Sequence, residues 1–207
     1  MTKLKSLLKK KFLVIALAFL VVFLPFAITA QSTTLSRTVT TAMAIDKDGD
    51  TYTVYLEHMM FTFDPLDGPE RKLISASADS IEEALTKIGH NRGRTISLSH
   101  CSIIILGPGI QEDDFLEILL PFAHRVDLNN ATAVFITNSD VEELMEASIE
   151  NGDMRSALLQ QIAAFNKERK QNFKTLGCIV KKLLRNEQVE IPTISLEDDE
   201  IKNPLNR

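Results

Sequence analysis

Along residues 101–107 the apolar positions do not alternate with polar ones. Cys101, Ser102, Ile103, Ile104, Ile105 and Leu106 run on to a Gly107-Pro108-Gly109 stop. A short apolar run, β-branched in its middle and closed by such a stop, predicts a strand covered on both faces. The segments around it have the periods needed to cover it. Residues 37–45 and 51–56 are rich in β-formers and flank Asp46-Lys47-Asp48-Gly49-Asp50, which predicts a hairpin. Leu73, Ser75 and Ser77 alternate with Ile74, Ala76 and Ala78, predicting a third strand. Ser80-Ile81-Glu82-Glu83 has the spacing of a capping box, and Ile81, Ala84, Leu85 and Ile88 follow at helical spacing up to Gly89.

Beyond the central run, Glu112, Asp113 and Asp114 suit the first turn of a helix whose apolar side is Phe115, Leu116, Leu119, Leu120 and Phe122. Residues 131–137 predict another strand, and Ser139 or Asp140 a cap for a helix through Val141, Leu144, Met145 and Ser148. After Asn151-Gly152-Asp153, helical spacing returns from Met154 to Phe165 and again from Phe173 to Leu184. Residues 189–196 predict an extended segment, and the acidic residues 197–207 a frayed tail. The fold class is therefore mixed α+β, with a mixed sheet, an N-terminal hairpin and packed helices.

One segment stands apart. Lys3, Lys5, Lys9, Lys10 and Lys11 precede an apolar run over residues 12–28, through Phe12, Leu17, Val22 and Ile28, broken only by Pro25. Basic residues stay on the cytoplasmic side, so the remainder is exported. Ala30 could precede a cleavage point, yet Ile28 is a poor small-residue companion; cleavage and retention as a membrane helix both stay open. The chain thus divides into a signal or anchor (1–30), a polar spacer (31–36), one domain (37–196) and the acidic tail (197–207).

Of the 23 basic side chains five fall in residues 1–30 and none of the 28 acidic ones, so residues 31–207 carry 18 against 28, a net of −10. An exported acidic domain does not seek nucleic acid by charge. Export would permit a disulfide between Cys101 and Cys178, but both lie in apolar stretches, and two buried thiols are expected, with a bridge as the alternative.

Chemistry-bearing patterns are few. Asp46, Asp48, Asp50 and Glu57 stand at positions one, three, five and twelve of a calcium loop. Position six, however, is Thr51 rather than the glycine such a loop needs, and the flanks predict strands, so a solvated hairpin tip is expected. His58, His90, His100 and His124 show no ligand spacing and are expected at the surface or at edges. Ser99-His100 and Ser102 lack a nucleophile elbow and, if on a strand, point to opposite faces. Gly107-Pro108-Gly109 lacks the further glycine and lysine of a phosphate loop. No catalytic, cofactor or lipidation residue is assigned.

Residues 41–54, Thr-Ala-Met-Ala-Ile-Asp-Lys-Asp-Gly-Asp-Thr-Tyr-Thr-Val, resemble the opening hairpin of the Ger(x)C family, the C subunits of bacterial spore germinant receptors. Residues 75–85 are similar to its next strand and capped helix, residues 99–107 to its following strand, and residues 173–192 to the end of its first domain. The resemblance implies a non-enzymatic exported subunit at the outer face of the inner spore membrane. It also implies work beside membrane-embedded receptor subunits in nutrient-triggered germination. Two departures accompany it: Ala30-Gln31 stands where family members carry a lipobox cysteine, and members continue into further domains. Without a lipid, a retained helix over residues 12–28 becomes the expected anchor. The reading from a different class is a soluble secreted module binding a small ligand or wall component.

Overall fold

Ile103–Leu106, the strand the uninterrupted apolar run predicts, is buried at every position and lies at the middle of the sheet. A computed structural model describes residues 37–60, 70–92, 95–150, 175–197 and 200–202. The expected membrane segment, the spacer and the helix expected through Met154 and Phe165 lie outside the described residues.

The first three strands form an antiparallel meander: β1 (Arg37–Asp48), β2 (Thr51–Met60) and β3 (Glu70–Ala78). Gly49 closes the first hairpin at φ 59°, a backbone state that glycine reaches without steric cost. Then come α1 (Ile81–Arg92), β4 (Thr95–Ser97), β5 (Ile103–Leu106), α2 (Phe115–Ala123) and β6 (Ala133–Thr137). The chain ends on α3 (Val141–Glu150), α4 (Leu176–Leu183), β7 (Thr193–Glu197) and β8 (Glu200–Lys202). Strand order is β3-β2-β1-β5-β6-β7-β8, with β4 paired to β1 off that path. Strands β1, β5, β6 and β7 are mutually parallel, so the sheet is mixed.

Alternation sends the strand residues to two cores. Met43, Ile45, Val54, Leu56, Ile104, Leu106 and Val134 meet α1, α2 and α4 through Leu85, Ile118, Leu119, Ile179 and Val180. Ala42, Ala44, Ile103, Ile105, Ala133 and Phe135 meet α3 through Val141, Leu144 and Met145. Helices on both faces explain why the central strands are apolar throughout, whereas β3, at an edge, keeps the alternation. Thr41 sits in a bulge of the β1–β2 ladder, and its carbonyl accepts from the amide (3.0 Å) and hydroxyl (3.2 Å) of Ser102. That join sets β5 beside β1.

Several expectations need correction. Gly89 does not end α1, which runs on through Arg92; a helical glycine costs only about 1 kcal/mol, and this one is buried on the packed face. The capping box is half formed. The Glu83 amide donates to Ser80 Oγ at 3.3 Å, while the Glu83 carboxylate turns to Lys87 at 3.2 Å. Glu112, Asp113 and Asp114 form a 3-10 turn ahead of α2 rather than its first α turn. Asp140, not Ser139, caps α3, accepting from the Glu143 amide at 3.0 Å; Ser139 Oγ accepts instead from the Leu196 amide at 2.9 Å. The acidic end is not all tail, because Glu200–Lys202 pairs antiparallel with β7.

Candidate functional site

In sheets of this kind ligands favour the carboxyl ends of the parallel strands, and here Asp46, Gly107 and Ser139 occupy those ends. Asp46 Oδ1 accepts from the Gly109 amide at 3.0 Å. A Cβ on Gly109 would overlap the Lys47 carbonyl oxygen, and one on Gly107 would overlap Asp46 Oδ1. Both glycines are thus required by close approach of the β5 exit to β1, and the corner is filled by the protein itself. Beside it, Lys47 Nζ lies 3.2 Å from Asp114 Oδ2 and 5.3 Å from the Tyr52 ring centroid. The Asp114 carboxylate holds the Lys47 ammonium above its usual range. Burial, with the carboxylates of Glu142, Asp140 and Asp46 nearby, pushes the Tyr55 phenol up.

The structure does not bring the calcium-spaced residues together. Asp48 and Asp50 lie exposed about the hairpin turn, and Asp46 is turned to Gly109. Asp46 pairs across the ladder with Thr53, whereas Glu57 lies opposite Ala42, four residues or roughly 13 Å further along β2 at strand rise. Among the described residues no group of three or more potential ligands could hold a metal ion.

His90, His100 and His124 are exposed as expected, but His58 is buried, with Nδ1 3.4 Å from the Val39 carbonyl oxygen. The expected opposition of Ser99 and His100 is also corrected. They lie in a turn before β5, not on a strand, and Ser99 Oγ is 3.0 Å from His100 Nδ1. Exposed and set against the neighbouring Ser97 hydroxyl at 3.0 Å, this pair is a local side-chain link of the turn. Neither cysteine forms a disulfide; Cys101 is buried, its Sγ donating to the Ile103 carbonyl at 3.2 Å, and Cys178 is only partly buried.

Two charged clusters escape sequence reasoning. Glu57 on β2 is fully buried, 3.6 Å from Arg71 Nε on β3, and neither carboxyl oxygen makes a hydrogen bond. The only sequence hint is a charge directly after the β-forming run over residues 51–56. Arg125 clasps Asp127 through Nε and Nη2 (2.9 and 3.3 Å) and reaches Glu82 on α1 at 3.4 Å. Asp127 Oδ2 also accepts from the Leu98 amide at 3.1 Å. Burial works against the Asp127 carboxylate, yet Arg125 and Leu98 hold its pKa below the usual range.

Open grooves also lie among the described residues. One, of about 230 Å3, lies between α1 and β4, with Leu85 and Ile96 in its lining and Glu82, His90 and Arg125 around them. Another, of about 320 Å3, lies between α2 and α4 and is lined by Ala123, Asn130, Gly177, Val180, Lys181, Leu184 and Arg185.

A family model described as the spore germination protein N-terminal domain matches residues 36–196. The chain belongs to this family. The match spans the elements from β1 into β7, and with it the resemblance drawn from the hairpin, the capped helix and the central strand is shown. No curated protein and no solved structure matches the chain. A spore germination N-terminal domain therefore has, in this chain, a mixed sheet with helices on both faces. No helix among its described residues is long and apolar enough to cross a membrane. Phe12, Leu17, Val22 and Ile28 lie outside the described residues.

Proposed function

We propose that this chain is an exported, non-enzymatic subunit or accessory domain of a spore germinant receptor. It acts through contacts with membrane-embedded receptor subunits. The observation that carries the reading is the family match over residues 36–196. The site geometry supports it: Asp46 is taken up by Gly109, Glu57 by Arg71 and the Ser99 hydroxyl by His100, each in a structural role. The basic start and the apolar residues 12–28 support a position at the membrane, with the domain on the outer face and residues 1–30 as its anchor. No cofactor, metal or nucleic acid enters the reading.

Spores lacking the chain are expected to lose germination on nutrient addition while still germinating under a treatment that bypasses receptors. Unchanged nutrient germination would refute the receptor role. The intact mass of the chain recovered from spore membranes is expected to include residues 1–30. A mass beginning near Gln31, found only in soluble fractions, would favour the secreted binding module instead.

A further inference from the structure

The groove between α2 and α4 combines two features. Its lining is largely apolar, from Ala123 and Val180 to Leu184, and Leu184 is 58% exposed. Val126 just after α2 is the other large hydrophobic residue left exposed among the described residues. Single exposed apolar residues are ordinary; one set on the lip of a concave apolar groove marks a contact surface.

The second feature is charge. Lys181 and Lys182 in the last turn of α4 have no carboxylate partner among the described residues, and Arg185 meets only Glu187, at 3.8 Å with both side chains largely exposed. Lys181 and Arg185 line the groove and Lys182 adjoins it along the chain, so this corner is positive on a chain whose net charge is −5. Surface pairs of that length contribute little, so the guanidinium and both ammonium groups remain available. A positive rim around an apolar hollow is complementary to an apolar side chain flanked by Asp or Glu.

Gly177 fits the same picture. Its amide donates to the Asn130 carbonyl at 3.0 Å, and a Cβ there would stand 3.2 Å from Asn130 Cβ. The absence of a side chain at that point keeps the groove wall low. A bilayer surface makes no use of such a hollow, and three cations are few for stable attachment to anionic lipid.

We infer that the α2–α4 groove is the docking site for an acidic segment of a protein partner, whose apolar residue enters the hollow against Leu184 and Val180 while its carboxylates meet Lys181 and Arg185. The inference rests on the reading of the chain as a receptor subunit and names the surface that reading leaves open.

The test places a photo-crosslinking amino acid at Leu184 of the full chain in spores, with a control at exposed Glu142 on α3, and sequences the cross-linked peptide. The expected adduct at position 184 is one polypeptide segment of another protein bearing an apolar residue beside Asp or Glu. Its yield should fall at least about fivefold in Lys181→Glu/Arg185→Glu and persist in Lys181→Arg/Arg185→Lys. All these side chains are exposed, and unchanged thermal unfolding of the variants excludes misfolding as the cause. Adducts to lipid alone, adducts to a second copy of the chain, equal yield at position 142, or no adduct would each overturn the inference. Nutrient germination measured on the same spores separates its failure from failure of the receptor reading.

Discussion

Arg71 and Glu57 present the sharpest energetic question at the scale of single residues. Their contact is long, at 3.6 Å, and Arg71 Nη1, like both Glu57 oxygens, is buried without a hydrogen bond among the described residues. Breaking such a pair from one side leaves an uncompensated buried charge, whereas replacing both ends with apolar groups is often neutral or better. Arg71→Met is therefore expected to lower stability by about 3 kcal/mol, and Glu57→Leu/Arg71→Met to return most of it. Urea unfolding of the four members of the cycle decides; additive losses would show that the two groups do not act as a pair. Asp127 gives a prediction in pH. Its carboxyl is held below the usual range in the fold, so its stabilising effect is present above the unfolded value near 4 and is lost as pH falls through the lower folded value. Asp127→Asn should thus be less stable than the parent at pH 7, with the gap closing below about pH 4. A gap that stays constant with pH would assign the effect to packing alone.

Elements stand between residue and fold, and their ends carry the next prediction. The Asp140 carboxylate takes the Glu143 amide at the start of α3, the helix that covers Ile105 and Phe135. Asp140→Ala is expected to cost about 1 kcal/mol, read as a lower melting temperature. Ser139→Ala acts elsewhere, loosening the tie from β6 to the Leu196 amide of β7. From the chain alone the hairpin, the central strand, β3, β6 and the apolar sides of α1 to α4 were legible, because each is a local period closed by a local stop. What was not legible depends on contacts far away in sequence. Gly89 reads as a helix end, yet packing carries α1 past it. His58 reads as a surface residue, yet the β1–β2 ladder encloses it. Residues 200–202 look like an acidic tail, yet they find a partner in β7. Of the candidate surfaces, the calcium spacing was visible and is dispersed by ladder register. The groove between α2 and α4 was invisible, since Ala123 and Leu184 meet only through the fold.

For the molecule as a whole, the family match and the mixed sheet give a spore germination domain whose central strand is its fourth of seven along the main path. The order of those strands carries a consequence in time. Thr41 and Ser102 are 61 residues apart yet bonded to each other, and Ala42 to Ile45 pair with the whole of β5. A chain made from its N-terminus can assemble the β1–β2–β3 meander early. The stretch Ala42 to Ile45 of β1 then keeps its inner flank open, with unpaired backbone groups available to any passing strand, until β5 emerges. Strand β5 is thus the piece that joins the meander to the rest of the sheet. A chain stalled near residue 100 would leave that flank exposed and prone to aggregation. Anything that shelters β1 during that interval serves the domain as a temporary neighbour, later displaced by Ile103–Leu106.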